Sequence, residues 1–151
     1  METLEPILRE HSFFKGLPLK YFDFILSCAS HKVFKAGEVI LEEGQSADKF
    51  YLIRSGQVSL YIGKPHEISI QTINQGDILG WSWLIPPHRY RFSAKAMENV
   101  RAVALDGKCL REKCEKNSDL GYELLKRLMV VFTERLEATR FQLLDIYNIK
   151  K

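Results

Sequence analysis

The sequence predicts a mainly β domain, an antiparallel sandwich or barrel, held between short helices at the N-terminus and one long helix at the C-terminus. Three observations predict it. Between His31 and Asp106, short apolar runs alternate with glycines at 37, 44, 56, 63, 76 and 80, a spacing typical of strands joined by tight turns. Before this region the apolar residues fall at helical spacing, and after Gly107 that spacing returns. The chain has 151 residues, enough for one domain with a real core and an appended helix.

Composition narrows the function. With 46% apolar and 27% charged residues the chain reads as an ordinary soluble globular protein. A net charge of +3 gives no broad basic surface for nucleic acid. No apolar run approaches the ~20 residues of a membrane span. Glu2, Glu5, Arg9 and Glu10 interrupt any secretory pattern, so the expected location is the cytoplasm. The cysteines are Cys28, Cys109 and Cys114, an odd number with no C-x-x-C pair. They are expected to be reduced thiols, with Cys28 buried in a helix, and no metal site is expected.

In order along the chain, residues 1–30 form the N-terminal helical part. "ETLEPILREH" sets Leu4, Ile7 and Leu8 on one side, with Pro6 in the first turn. Pro18 opens a second helix through about Ala29, with Leu19, Phe22, Ile25 and Leu26 as its stripe. Residues 31–107 are the strand region, and "RSGQ" marks a hairpin within it. Residues 108–117 read as a short helix. Ser118 is the expected N-cap of the last helix, which runs to about residue 147 and spans roughly 45 Å.

That last helix carries two apolar faces. Leu125, Met129, Phe132, Leu136, Thr139, Leu143 and Ile146 alternate in steps of four and three, a heptad seam. Leu124, Leu128 and Val131 form a second edge along its first half only. One face is expected to pack on its own domain and the other on a second copy, giving a parallel homodimer; the alternative is a lone helix lying across its domain.

The run "FKAGEVILEEGQSADKFYLIRSGQVSLYI" resembles the first half of a cyclic-nucleotide-binding domain, as found in catabolite-activator-type regulators. Phe34, Gly37, Glu38, Ile40, Gly44, Asp48, Tyr51, Ile53, Gly56 and Val58 carry the resemblance. It implies a double-stranded β-helix, a jelly-roll-like β-roll, with flanking helices and dimerisation through the last helix. It further implies a phosphate-binding cassette in the second half. In the family this is an aliphatic residue, Gly and Glu, then a small residue, a loop and Arg-Ser/Thr-Ala. The glycine admits the cyclic phosphate to backbone N–H groups, the glutamate takes the ribose hydroxyl, and the arginine pairs with the phosphate.

Here the cassette reads "GDILGWSWLIPPHRYRFSAKA", a GWSWL-x-PP variant. Leu79 and Gly80 match; Trp81 stands at the glutamate position, Ser82 at the variable one and Trp83 at the small one. Phe92, Ser93 and Ala94 stand where Arg-Ser-Ala is expected. Aromatic carbon thus replaces both recognising side chains. Two uses remain open for Trp81, Trp83 and Phe92: filling the old cavity, or lining a site for a more apolar ligand. Arg89, Arg91 and His88 either reach the pocket from the loop or lie on the surface.

No catalytic set or metal motif is present, so no enzyme is expected. Haem occurs in relatives, which makes His66 and His88 the residues to watch. The family's DNA readers carry a helix-turn-helix after the long helix; this chain stops at Lys151, so direct DNA binding is not expected. Three functions stand: a regulatory module for another small molecule or a protein partner; a cyclic-nucleotide receptor with an unusual site; and a ligand-free dimer scaffold. No cofactor is expected, and a cyclic nucleotide is the less favoured ligand.

Overall fold

The computed structural model describes residues 4–63 and 68–149; His66 and the terminal lysines lie outside the described residues. The chain begins with α1 (Leu4–Glu10), followed by a 3-10 turn (Leu19–Tyr21) and α2 (Phe22–Leu26). Eight strands follow: β1 (Ala29–Phe34), β2 (Val39–Leu41), β3 (Lys49–Ser55), β4 (Val58–Ile62), β5 (Ile68–Ile73), β6 (Ile78–Leu79), β7 (Ser93–Ala96) and β8 (Val100–Asp106). The chain closes with α3 (Gly107–Lys116) and α4 (Ser118–Ile149).

The strands form two four-stranded antiparallel sheets, ordered β1-β8-β3-β6 and β2-β7-β4-β5. This is the β-roll that the sequence predicts. Its turns depend on glycine where the backbone doubles back. At Gly56, between β3 and β4, φ is +94° and an added Cβ would stand 2.5 Å from the Asn99 carbonyl oxygen. Both the conformation and the space exclude a side chain there.

Two cores result. One lies inside the roll, where Tyr51, Ile53, Val58, Leu60, Leu79 and Ala94 meet. The other lies between the outer face of β3–β8 and the helices, where Phe14, Ile25, Phe50, Leu105, Leu110, Leu124 and Leu128 meet. Residues of β3 feed both cores by alternation: Phe50 and Leu52 point to the helices, Tyr51 and Ile53 into the roll.

Four local expectations change. The second helix ends at Leu26, because Ala29 is already paired with Leu105 in β1. Leu19 lies outside the core at 63% exposure, and Phe14 fills the helical core instead. The cap of α4 is Asn117, whose Oδ1 accepts from the Leu120 N–H at 3.3 Å; Ser118 is already helical. Finally, Cys28 and Cys109 form a disulfide, with Cys28 in the turn after α2, while Cys114 is a free buried thiol. The bond joins the N-terminal helices to α3 across 81 residues of sequence. Burial pushes the Cys114 thiol up to about 11, so it remains protonated near neutrality.

α4 has the two-faced character read from its sequence. Leu120, Leu124 and Leu128 are buried against the domain. Leu125, Met129, Leu136, Leu143 and Ile146 are exposed by 45% to 64%, so the heptad seam lies open along the helix. Phe132 is half-buried between the two faces, and Thr139 is exposed with its hydroxyl donating to the Arg135 carbonyl. Among the described residues, no helix is long and apolar enough to cross a membrane.

His11 ties the N-terminal turn to the roll. Its Nδ1 accepts from the Phe13 N–H at 3.1 Å, which leaves Nε2–H to donate to the Ile53 carbonyl at 3.2 Å. A proton on Nδ1 would face that N–H donor. Burial lowers the pKa below 6.5, opposed by the Ile53 carbonyl and by Asp77. The unfolded chain therefore takes up the proton first. Stability is whole above about 6.5 and declines as pH falls from there to the folded value. Urea midpoints measured from pH 8 to pH 5 should fall through this window in the wild type, and the fall should be shallower in His11→Gln.

Candidate functional site

The site grows from the end of β6. Leu79 pairs with Tyr51, the chain turns at Gly80, and Trp81–Trp83 makes one 3-10 turn. Gly80 has φ +90°, and an added Cβ would lie 3.1 Å from the Lys49 carbonyl oxygen and 3.2 Å from Tyr90 Cε1. Only glycine combines that left-handed turn with so close an approach.

The aromatics around Gly80 point in different directions. Trp83 is fully buried on the helical side of the sheet, its ring stacked on Phe50 with centroids 4.9 Å apart and planes 8° apart. Gly107 makes room for it: a Cβ there would be 2.8 Å from Trp83 Cβ. The Trp83 indole N–H is buried without a hydrogen-bond partner, while its carbonyl accepts from Arg111 Nη1. Trp81 is half-buried and meets Phe132 of α4 edge-on, with centroids 4.8 Å apart. Trp81 therefore packs against both the helical core and the core of the roll. Phe92 is buried within the core of the roll.

The side chain that stands over Gly80 is Tyr90, which the sequence analysis passed over. Its ring touches Gly80, its hydroxyl donates to the Lys49 carbonyl at 2.6 Å, and the same oxygen lies 3.3 Å from the Lys49 N–H. Burial raises its pKa to about 12, with the Lys49 hydrogen bond opposing, so the phenol is neutral at any physiological pH. Tyr90 and Phe92 lie in the irregular segment before β7 and both enter the roll core, while Arg91 between them is exposed.

The polar candidates are committed elsewhere. Arg89 is exposed, and its Nη1 donates to the Gly44 carbonyl at 2.9 Å. Ser93 is buried, and its Oγ accepts from the Glu43 N–H at 2.9 Å. Ser82 is buried within the 3-10 turn, and Ala94 lies on the interior face of β7 beside Leu60. His88, at φ +58°, lines a groove beside Arg111 and Cys114 outside the roll. Tyr90, Phe92 and Ala94 thus converge beside Gly80 with Trp81 at their edge, whereas Trp83, Arg89 and Arg91 diverge.

Tyr51, Leu60, Leu79, Tyr90, Phe92 and Ala94 belong to one apolar cluster inside the roll, each at most 8% exposed. Among the described residues, no group of three or more His, Cys, Asp or Glu is arranged to hold a metal ion.

Comparison with known proteins gives one consistent picture. A family profile for the cyclic nucleotide-binding domain matches residues 31–117. A crystal structure of a putative cyclic nucleotide-binding protein from Geobacter metallireducens is similar at 32% identity and a TM-score of 0.82, covering 89% of this chain and 99% of that one. A CRP-like cAMP-activated global transcriptional regulator of Mycobacterium tuberculosis is 25% identical over 145 residues; the match covers 95% of this chain and 63% of that protein's length. The fold alone is shared with the regulatory subunit of a cAMP-independent protein kinase A from Trypanosoma brucei. That match has 20% identity and a TM-score of 0.69, covering 83% of this chain and 46% of the other.

The Trp81–Phe132 contact gives the first test of how the cassette is built. A double-mutant cycle with Trp81→Ala and Phe132→Ala, read by urea denaturation, should return a coupling of about 0.5–1.5 kcal/mol. Trp81→Ala paired with Leu136→Ala should return none beyond error.

Proposed function

The chain belongs to the cyclic nucleotide-binding domain family, and from that premise we propose that it is a regulatory module whose sugar–phosphate niche is closed by its own side chains. In this reading it does not respond to cyclic AMP or cyclic GMP. Its input is another small molecule or a protein partner. Its output element is α4, joined to the cassette through Trp81 and Phe132.

One observation carries the reading: the Tyr90 ring lies against Gly80, with its hydroxyl anchored on Lys49. A cyclic phosphate brought to the Gly80 backbone has to displace that ring and break that hydrogen bond. It then finds no guanidinium inside, since Arg89 holds the Gly44 carbonyl and Arg91 faces solvent. It finds no carboxylate either, since Trp81 stands at that position and leans on Phe132. Two missing charge-assisted contacts at about 1.5–3 kcal/mol each amount to roughly 10²–10⁴ in affinity, before the cost of moving Tyr90.

The open seam of α4 supports a homodimer as the working form. Its exposed leucines and Met129 repeat at heptad spacing, and an apolar stripe of that length is unusual on a monomer surface. Trp81 and Phe132 sit beside this seam, so a change at the cassette would reach the partner helix through one aromatic contact. The curated relative named above is a transcriptional regulator, which fits a regulatory module. This chain spans only 63% of that relative's length, and DNA binding is no part of the proposal.

Two measurements test it. Calorimetry with cyclic AMP and cyclic GMP should show no saturable binding tighter than about 1 mM. Micromolar binding would favour the receptor reading instead. Sedimentation velocity should show a dimer at tens of micromolar, and Leu136→Glu should convert it to a monomer that keeps its far-ultraviolet circular dichroism, because Leu136 is 64% exposed in the single chain.

A further inference from the structure

A cleft of about 350 Å³ lies outside the roll, where α4 crosses the end of β5, the start of β6 and the segment after His11. That volume is at the small end of the range for organic ligands. Its walls are mixed. Val130 and Val131 supply apolar surface above the buried Ile73 and Ile78, and Ser12 and Gln71 supply polar atoms.

Lys15, Arg127 and Arg135 line the cleft, against Asp77 and Glu134. Arg127 is already matched by Glu123, 2.8 Å away and outside the cleft. Asp77 turns one carboxylate oxygen to the Asn74 N–H at 2.9 Å. Among the described residues, neither Lys15 nor Arg135 forms an ion pair.

Arg135 is the unusual member. One arm of its guanidinium donates to the Ile78 carbonyl, and the other, Nη1, is buried with no acceptor. Burial lowers its pKa, with Asp77 and Glu134 opposing at longer range, yet a guanidinium stays charged. A buried cation with one neutral acceptor is under-satisfied, and its arm needs only a partial turn outward to meet an anion in the cleft.

We propose that this cleft binds a small oxyanion with an apolar body, its acid group held by Arg135 and Lys15 and its body laid on Val130 and Val131. The chemistry fits a carboxylate or a phosphate monoester. A neutral molecule would leave the free arm of Arg135 without a charged partner. Ile78 immediately precedes Leu79 and Gly80, so an anion that recruits Arg135 also slackens the tether between α4 and the cassette strand. The site does not depend on how the roll interior is used.

The test is a calorimetric titration of the full chain with hexanoate, hexyl phosphate and 1-hexanol. At least one acid should bind saturably, and hexanol at least ~10-fold more weakly. The tighter acid identifies the head group. Arg135→Lys and, separately, the surface variant Lys15→Gln should each weaken the acid, with far-ultraviolet circular dichroism unchanged in Lys15→Gln. The proposal is overturned if neither acid binds, if hexanol binds as well, or if Lys15→Gln and Arg135→Lys both bind the acid as the wild type does. Cyclic-nucleotide binding at the roll would leave these outcomes untouched, so the two readings fail separately.

Discussion

The arrangement of this molecule turns on the contact between the Tyr90 ring and Gly80. Gly80 keeps a left-handed turn that leaves its backbone open to close approach, and the approach is made by the chain's own phenol. Because the Tyr90 hydroxyl is bonded to the Lys49 backbone, the ring is fixed at both ends, by a hydrogen bond and by packing. Inside the roll Phe92, Leu60 and Ala94 pack as one core, while Arg89 is bonded to the Gly44 carbonyl and Arg91 is exposed.

Trp83 is locked between Phe50 and Gly107, so the 3-10 turn cannot shift without disturbing the helical core. Trp81 leans on Phe132, Arg111 holds the Trp83 carbonyl, and Arg135 holds the Ile78 carbonyl. The cassette is thereby gripped at both ends by α3 and α4. The exposed seam of α4 runs past this junction.

Much of the fold was legible because its signals are local. Alternation and glycine turns marked the strands, and the four-three repeat marked both faces of α4. The features that sequence missed are non-local or turn on phase. The Cys28–Cys109 bond joins positions 81 residues apart, and no spacing rule reaches so far. Asn117 and Ser118 are both good caps, and one residue of phase decided between them. Phe92 drew attention because Ser93 and Ala94 follow it, yet Tyr90, in the irregular segment before β7, is the residue that stands beside Gly80. That Trp81 meets both the roll core and α4 depended on the pitch of a single 3-10 turn, which the composition of "GWSWL" does not specify.

The most direct measurement is the Gly80 amide resonance in a 15N-labelled sample titrated with cyclic AMP to several millimolar. If Tyr90 occupies the niche, the Gly80 and Trp81 amide resonances stay where they are. A saturating shift of those resonances, with the Tyr90 ring signals moving in step, would contradict the account.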